Sequence, residues 1–205
     1  MSGFSGFYIS IENVVASGSV EHEVNLDRVV EAYPEAHRTR GFPAVVLKFK
    51  RHGIKASVLV FKNGRLICSG ARSVEDALKT LKKTVNILRA AGIKTGKFEA
   101  KIENIVASCS LELEYSMDEI AETLPYSVYE PDYFPGIVHK MDDPKTAVLI
   151  FPHGKAIFAG LKTEEEVYKA AKNLKENIEN TLKTIREKRC YTTPRLEEAI
   201  RQLQH

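Results

Sequence analysis

The chain has 205 residues, room for one large domain or two small ones, and 43% apolar against 28% charged residues is ordinary for a globular protein. No run approaches the roughly 18 apolar residues of a membrane span, Met1 to Phe7 lacks the basic and apolar stretches of a secretory leader, and Cys68, Cys109 and Cys190 are too few and too scattered for a disulfide framework or a zinc site, so a soluble intracellular chain is expected. The net charge of +3 hides an asymmetry, because residues 1–95 carry 15 Lys and Arg against 8 Asp and Glu (+7) and the rest 15 against 19 (−4). Either this is chance on solvated surfaces, or the first half faces a polyanion and the second a basic protein.

Residues 8–20 read as a strand rich in Val and Ile, with Gly18 near its end. Residues 24–33 show apolar i, i+3, i+4 spacing and predict a short helix ended by Pro34. Three strands follow at about 42–50, 55–62 and 65–70, joined by turns at His52-Gly53 and Asn63-Gly64, the second a strong hairpin signal. Ser73 is placed to cap a long helix to about Ala91, with Glu75 and Asp76 in its first turn and Gly92 after it. Its apolar stripe is Ala77, Leu78, Leu81, Val85 and Leu88.

The chain then repeats itself. "IENVVAS" at 11–17 returns as "IENIVAS" at 102–108, "GFPAVVLKFK" (41–50) as "YFPGIVHKMD" (133–142), and "VLVFKNGRLICSG" (58–70) as "VLIFPHGKAIFAG" (148–160). The offset stays between 90 and 92, so one unit is duplicated in tandem. Asp143-Pro144 replaces His52-Gly53 as a turn, and Thr163 takes the place of Ser73 as a cap. Beyond the repeats, Thr193-Pro194 predicts the start of a short amphipathic helix with Leu196, Ile200 and Leu203 on one side.

An antiparallel sheet covered on one face should alternate apolar and polar residues. These strands do not: Val58 and Val60 oppose Leu59 and Phe61, Leu66 and Cys68 oppose Ile67 and Ser69, and Val148 and Ile150 oppose Leu149 and Phe151. Two helices per repeat cover only one face. Either the other face is buried by folding one half on the other, by dimerisation or by a ligand, or the parity is slipped by one residue. Asn13 and Asn104 share parity with Val15, Val106, Ser17 and Ser108. A mid-strand Asn is disfavoured, and one at matching positions in both repeats suggests a two-fold ligand such as duplex nucleic acid.

With these repeats, "YEPDYFPG" (129–136), "VLIFPHGK" (148–155) and "CSGARS" (68–73), the chain resembles the TATA-box-binding protein family in its archaeal-sized form, over about residues 8–188. The resemblance implies an α+β fold: a tandem-duplicated saddle with a curved antiparallel sheet of ten strands, four helices on its convex face and the minor groove of A·T-rich DNA on its concave one. The domains it implies are a first repeat at 8–95, a second at 99–188 and a C-terminal extension at 189–205. It makes Phe42 with Phe61, and Phe134 with Phe151, two wedge pairs that pry open base steps. Asn13 and Asn104 become the central amides that meet base acceptors, and Val15, Val106, Leu59, Leu149, Ile67 and Ile157 the apolar floor. Ser17, Ser108, Ser69 and Ala159 line the same groove, Ser69 keeping a hydroxyl that Ala159 lacks where the family usually has Thr. Lys48, Arg65, Lys140 and Lys155 fall at phosphate contacts, and Glu130, Asp132 and Tyr133 at the surface for transcription factor B.

The departures from the family pattern are three: Ala159, the sequence His37, Arg38, Thr39, Arg40, Gly41 in place of the acidic loop kept at 129–136, and Phe158 where a smaller aliphatic is preferred. The function implied is a general transcription initiation factor that binds and bends promoter DNA and recruits factor B and, through it, RNA polymerase. It would act as a monomer on DNA with weak self-association when free, be nucleoid-associated in the cytoplasm, touch no membrane and need no cofactor. The alternative is a diverged paralogue that regulates transcription mainly through protein contacts. No Ser/His/Asp arrangement, phosphate-cradling Gly loop or metal spacing is visible, and His22, His37, His52, His139, His153 and His205 are scattered, so no enzyme is expected.

Overall fold

The structure, a computed structural model, describes residues 8–50 and 55–203, and the expected turn at His52-Gly53 lies outside them. Its elements are β1 (Ile9–Ser19), α1 (Leu26–Ala32), β2 (His37–Arg38), β3 (Ala44–Phe49), β4 (Ala56–Phe61), β5 (Arg65–Ala71), α2 (Val74–Ala90), β6 (Glu99–Ser110), α3 (Met117–Thr123), β7 (Ser127–Val128), β8 (Ile137–Asp142), β9 (Lys145–Ile150), β10 (Lys155–Leu161) and α4 (Glu164–Leu203). The strands form one ten-stranded sheet in the order β2-β3-β4-β5-β1-β6-β10-β9-β8-β7. The pairs β1 with β5, β2 with β3, β3 with β4, β4 with β5, β7 with β8 and β8 with β9 are all antiparallel. The chain divides into two compact units, one holding Ser10–Ala107 and Ala159–Glu164, the other Ser108–Phe158 and the helix from Glu165 on. The fold class is the expected α+β with ten strands and four helices. No helix among the described residues is long and apolar enough to cross a membrane.

In the first unit Asn25 caps α1, its side chain accepting from the N–H groups of Asp27 and Arg28. Ser73 caps α2 by accepting from Asp76 N–H at 3.1 Å. Of the predicted stripe, Ala77, Leu81, Val85 and Leu88 are buried, while Leu78 lies at its margin and is only half-buried. Thr80 and Thr84 are buried beside them because their hydroxyls donate to the carbonyls of Asp76 and Thr80, at 2.7 and 3.0 Å. Helix α1 lies against β3 and α2, and α2 against β4 and β5. The side chains they meet, Leu47, Val58, Val60, Leu66 and Cys68, have no exposure. Each fully buried Leu or Val contributes about 1.5–3 kcal/mol.

In the second unit a capping box joins Ser116 and Glu119 at the start of α3. Helix α4 buries Val167, Ala170, Ala171, Leu174, Ile178 and Ile185. Its Arg189 donates to Glu119 Oε1 and lies 4.9 Å from the Tyr115 ring, and Arg186 donates to Glu114 at 3.1 Å. The Arg189 guanidinium, ahead of the Ser116 hydroxyl, holds the Glu119 carboxyl below its usual range. These contacts are exposed and each contributes little, but they fasten α4 to α3 and to the link before it. The separate helix expected to begin at Pro194 is not present: α4 runs unbroken through Pro194 to Leu203. The stripe Leu196, Ile200 and Leu203 lies outside the described side chains.

Several core positions differ between the repeats, and at one of them the second repeat is polar and titratable. His139, 3% exposed, stands where the first repeat has Leu47. Its Nδ1 lies 3.1 Å from Ser127 Oγ, while Nε2 has no partner. Burial pushes the His139 pKa below 6.5, against an opposing pull from the Pro125 carbonyl. The native state thus takes up this proton at lower pH than the unfolded chain, which does so below about pH 6.5. Stability from this group is present above that pH and lost on acidification. Replacing His139 with Leu should reduce the fall in urea midpoint between pH 7 and pH 5. An equal fall in both proteins would remove His139 as the cause.

Candidate nucleic-acid interface

Register shows what each face carries. Leu47, Val58, Cys68 and Ala16 form one row across β3, β4, β5 and β1, and all are buried. The next row, of opposite parity, is Val46, Leu59, Ile67 and Ser17. Val46, Leu59 and Ile67 are only half-buried, because no helix covers that side of the strands. In the second unit Val138 pairs with Leu149 and both are half-buried, while their neighbours His139 and Val148 pair within the core. Val15, Val106 and Ile157 are half-buried too. Each repeat thus carries an apolar strip open to solvent, where such area marks an interaction surface. Val46 and Val138 belong to it and were missed in the sequence, although their parity with Lys48 and Lys140 carried the signal.

At the end of each strip stand two phenylalanines in contact. Phe42, 47% exposed, stacks on Phe61 with centroids 5.9 Å apart and planes at 23°. Phe134 and Phe151 meet at 5.8 Å and 60°. Backbone bonds set them there. The Thr39 hydroxyl donates to the Phe42 carbonyl at 2.6 Å, and the Glu130 carbonyl accepts from the N–H groups of Tyr133 and Phe134 at 3.0 and 2.9 Å. Gly136 makes room for the second pair, since a Cβ there would lie 3.1 Å from Phe134 and 3.3 Å from Phe151.

Asn13 and Asn104 lie mid-strand on the open side. Between the pairs Val14 with Ala71 and Ala16 with Cys68, β1 has one residue and β5 two, so Ser69 and Gly70 form a bulge opposite Val15. Gly70 adopts φ 88°, and its N–H donates to Asn13 Oδ1 at 2.7 Å. Gly160, at φ 103°, donates to Asn104 Oδ1 at 2.8 Å. Ser69 and Ala159, the residues before these two glycines, are exposed. Ser17 and Ser108 are buried, 4% and 6% exposed, and the Ser17 hydroxyl donates to Glu103. That bond, ahead of the one from Lys101, holds the Glu103 carboxyl below its usual range. Phe158, singled out as a bulky departure, has no exposure and the opposite parity to Ile157, so its ring fills the core and is absent from the open strip.

Lys48, Arg65, Lys140 and Lys155 are all exposed and share parity with Val46, Ile67, Val138 and Ile157. Glu130, Asp132 and Tyr133 are exposed in the turn before β8, Tyr133 at 89%. The same turn therefore shows a tyrosine and two carboxylates to solvent and seats Phe134 against Phe151. Burial pushes the Cys68 thiol up to about 11 and the Cys109 thiol to about 12, so both stay protonated core groups.

The family model described as "Transcription factor TFIID (or TATA-binding protein, TBP)" matches residues 8–91 and 99–181. The TATA-box-binding protein of Thermococcus sibiricus is 34% identical over 177 residues, 85% of this chain and 95% of the relative. That of Methanobrevibacter smithii is 39% identical over 160 residues, 77% and 87% of the two chains. The solved structure of Methanococcus jannaschii TBP superposes with a TM-score of 0.74 at 37% identity, covering 84% of this chain and 98% of that one.

Proposed function

This chain belongs to the TATA-box-binding protein family, DNA-binding transcription factors without enzymatic activity, and on that premise we propose that it binds the minor groove of A·T-rich promoter DNA through its helix-free face, bends it, and recruits transcription factor B and RNA polymerase. The observation that carries this reading is the pairing of half-exposed phenylalanines at the end of each open apolar strip. Apolar side chains inserted between base steps unstack and kink a duplex, a mechanism for which this family is itself the reference case. Asn13 and Asn104 would meet the base acceptors that A·T and T·A present alike in the minor groove, over a floor of Val15, Val46, Leu59, Ile67, Val106, Val138, Leu149 and Ile157. Lys48, Arg65, Lys140 and Lys155 would contact phosphates, setting affinity and its salt dependence and leaving sequence choice to the groove. Glu130, Asp132 and Tyr133 offer factor B an acidic and aromatic contact. In this reading the two repeats are 8–95 and 99–188, and the protein is nucleoid-associated.

A second reading, a regulator that holds factor B with little DNA affinity, is favoured by Ala159 and the altered loop at 37–41. Selection from random duplexes, with and without factor B, separates the two. The proposed function predicts enrichment of A·T-rich sites by the protein alone, tightened by factor B and not by a chain carrying Glu130→Lys with Asp132→Lys. Capture of factor B with no enrichment of any duplex would establish the regulator instead.

A further inference from the structure

The geometry points to Gly70 and Gly160 as positioning residues for base recognition: their N–H groups fix the amides of Asn13 and Asn104 so that Nδ2, and not Oδ1, faces the DNA. This deepens the proposed groove binding and rests on it. A backbone N–H can only donate, so the amide atom facing it at 2.7 Å in one repeat and 2.8 Å in the other has to be the oxygen. Turning either amide over would set an N–H against an NH₂ and lose the bond. Neither Nδ2 has a partner among the described residues. Each amide thus offers donors outward, the complement of the acceptors on A·T pairs, and withholds the acceptor that the guanine 2-amino group would need.

The bulge makes the bond available. In a regular ladder the Gly70 N–H would be spent on the neighbouring strand or on solvent; here the extra residue opposite Val15 turns it toward Asn13. The φ values of 88° and 103° are ones that L side chains rarely adopt. At Gly160 a Cβ would meet nothing within 4 Å, so it is the backbone conformation, and not lack of space, that calls for glycine. The same bond at matching positions in both repeats, alongside diverged neighbours Ser69 and Ala159, ties the lock to reading the centre of a two-fold site.

The test has two arms. Amide hydrogen exchange on the free protein should show Gly70 and Gly160 protected, both retained in a chain with Asn13→Asp and Asn104→Asp. In Asn13→Ala protection should be lost at Gly70 alone. Exchange at open-loop rates in the unsubstituted protein would overturn the lock. The binding arm compares an A·T-rich duplex with the same duplex carrying 2,6-diaminopurine for adenine at its centre, which adds one minor-groove donor. The unsubstituted protein should prefer the plain duplex. The double Asp variant, which keeps the bond to glycine but presents oxygen outward, should bind both more weakly with that preference reduced about tenfold. An unchanged ratio would mean that the added amine is rejected by space alone and would overturn the proposal. Failure of the unsubstituted protein to bind either duplex would sink the proposed groove binding instead, with the exchange arm still deciding the lock.

Discussion

A chain carrying Phe134→Ala together with Phe151→Ala is expected to keep its fold and lose its bend. Both rings are only partly buried and lie against each other on the helix-free side, with centroids 5.8 Å apart, so removing them leaves the helix-covered core intact. On DNA they would pass from water into the gap between base steps. Each ring is already partly buried, so only its exposed part leaves water on DNA, and the pair contributes roughly 1–2 kcal/mol. That corresponds to a loss of about 5–30-fold in affinity for an A·T-rich duplex, read by fluorescence anisotropy. Energy transfer between dyes at the ends of the duplex should fall to that of straight DNA, with circular dichroism unchanged. Unfolding of the double variant would show that the rings are core and that the strip is not open. Phe42→Ala with Phe61→Ala should act the same way in the first repeat.

The largest effect on stability is expected at Gly154. It adopts φ 82°, and a Cβ there would run into the Leu111 carbonyl oxygen. The backbone cannot move away freely, because the Leu111 N–H donates to the Gly154 carbonyl at 2.7 Å. The first repeat has the same construction, with Gly64 against the carbonyl of His22 and its own carbonyl accepting from Val20 N–H at 3.0 Å. Gly154→Ala therefore meets both backbone strain and a clash with backbone, and should cost roughly 3–5 kcal/mol. Gly160→Ala, at φ 103° with open space around it, should cost only the strain, about 1–2 kcal/mol. Thermal melts of the two variants decide this, and equal losses would mean that contact with Leu111 plays no part.

Much of the fold was legible because periodicity and capping are local. Ser73, the stripe of α2 and the Asn63-Gly64 hairpin needed no knowledge of partners. The same parity that opposes Leu59 to Val58 places Phe158 opposite to Ile157 and so in the core. What stayed hidden depends on strands meeting. His37–Arg38 and Ser127–Val128 are too short to show a pattern and are strands only because they pair with β3 and β8. The bulge at Ser69 and Gly70 exists only relative to β1, so the bond that orients Asn13 could not be read from either strand alone. Val46 and Val138 join the open strip through Leu59 and Leu149. Pro194 suggested a new helix, but a proline signals a start only where the preceding helix has stopped, and α4 has not.

Binding and bending of an A·T-rich duplex by the helix-free face is measured most directly by energy transfer across an end-labelled duplex titrated with the unsubstituted protein at low and at moderate salt. Transfer should rise on binding, and the rise should weaken as salt increases. No rise at low salt on any A·T-rich sequence would contradict it.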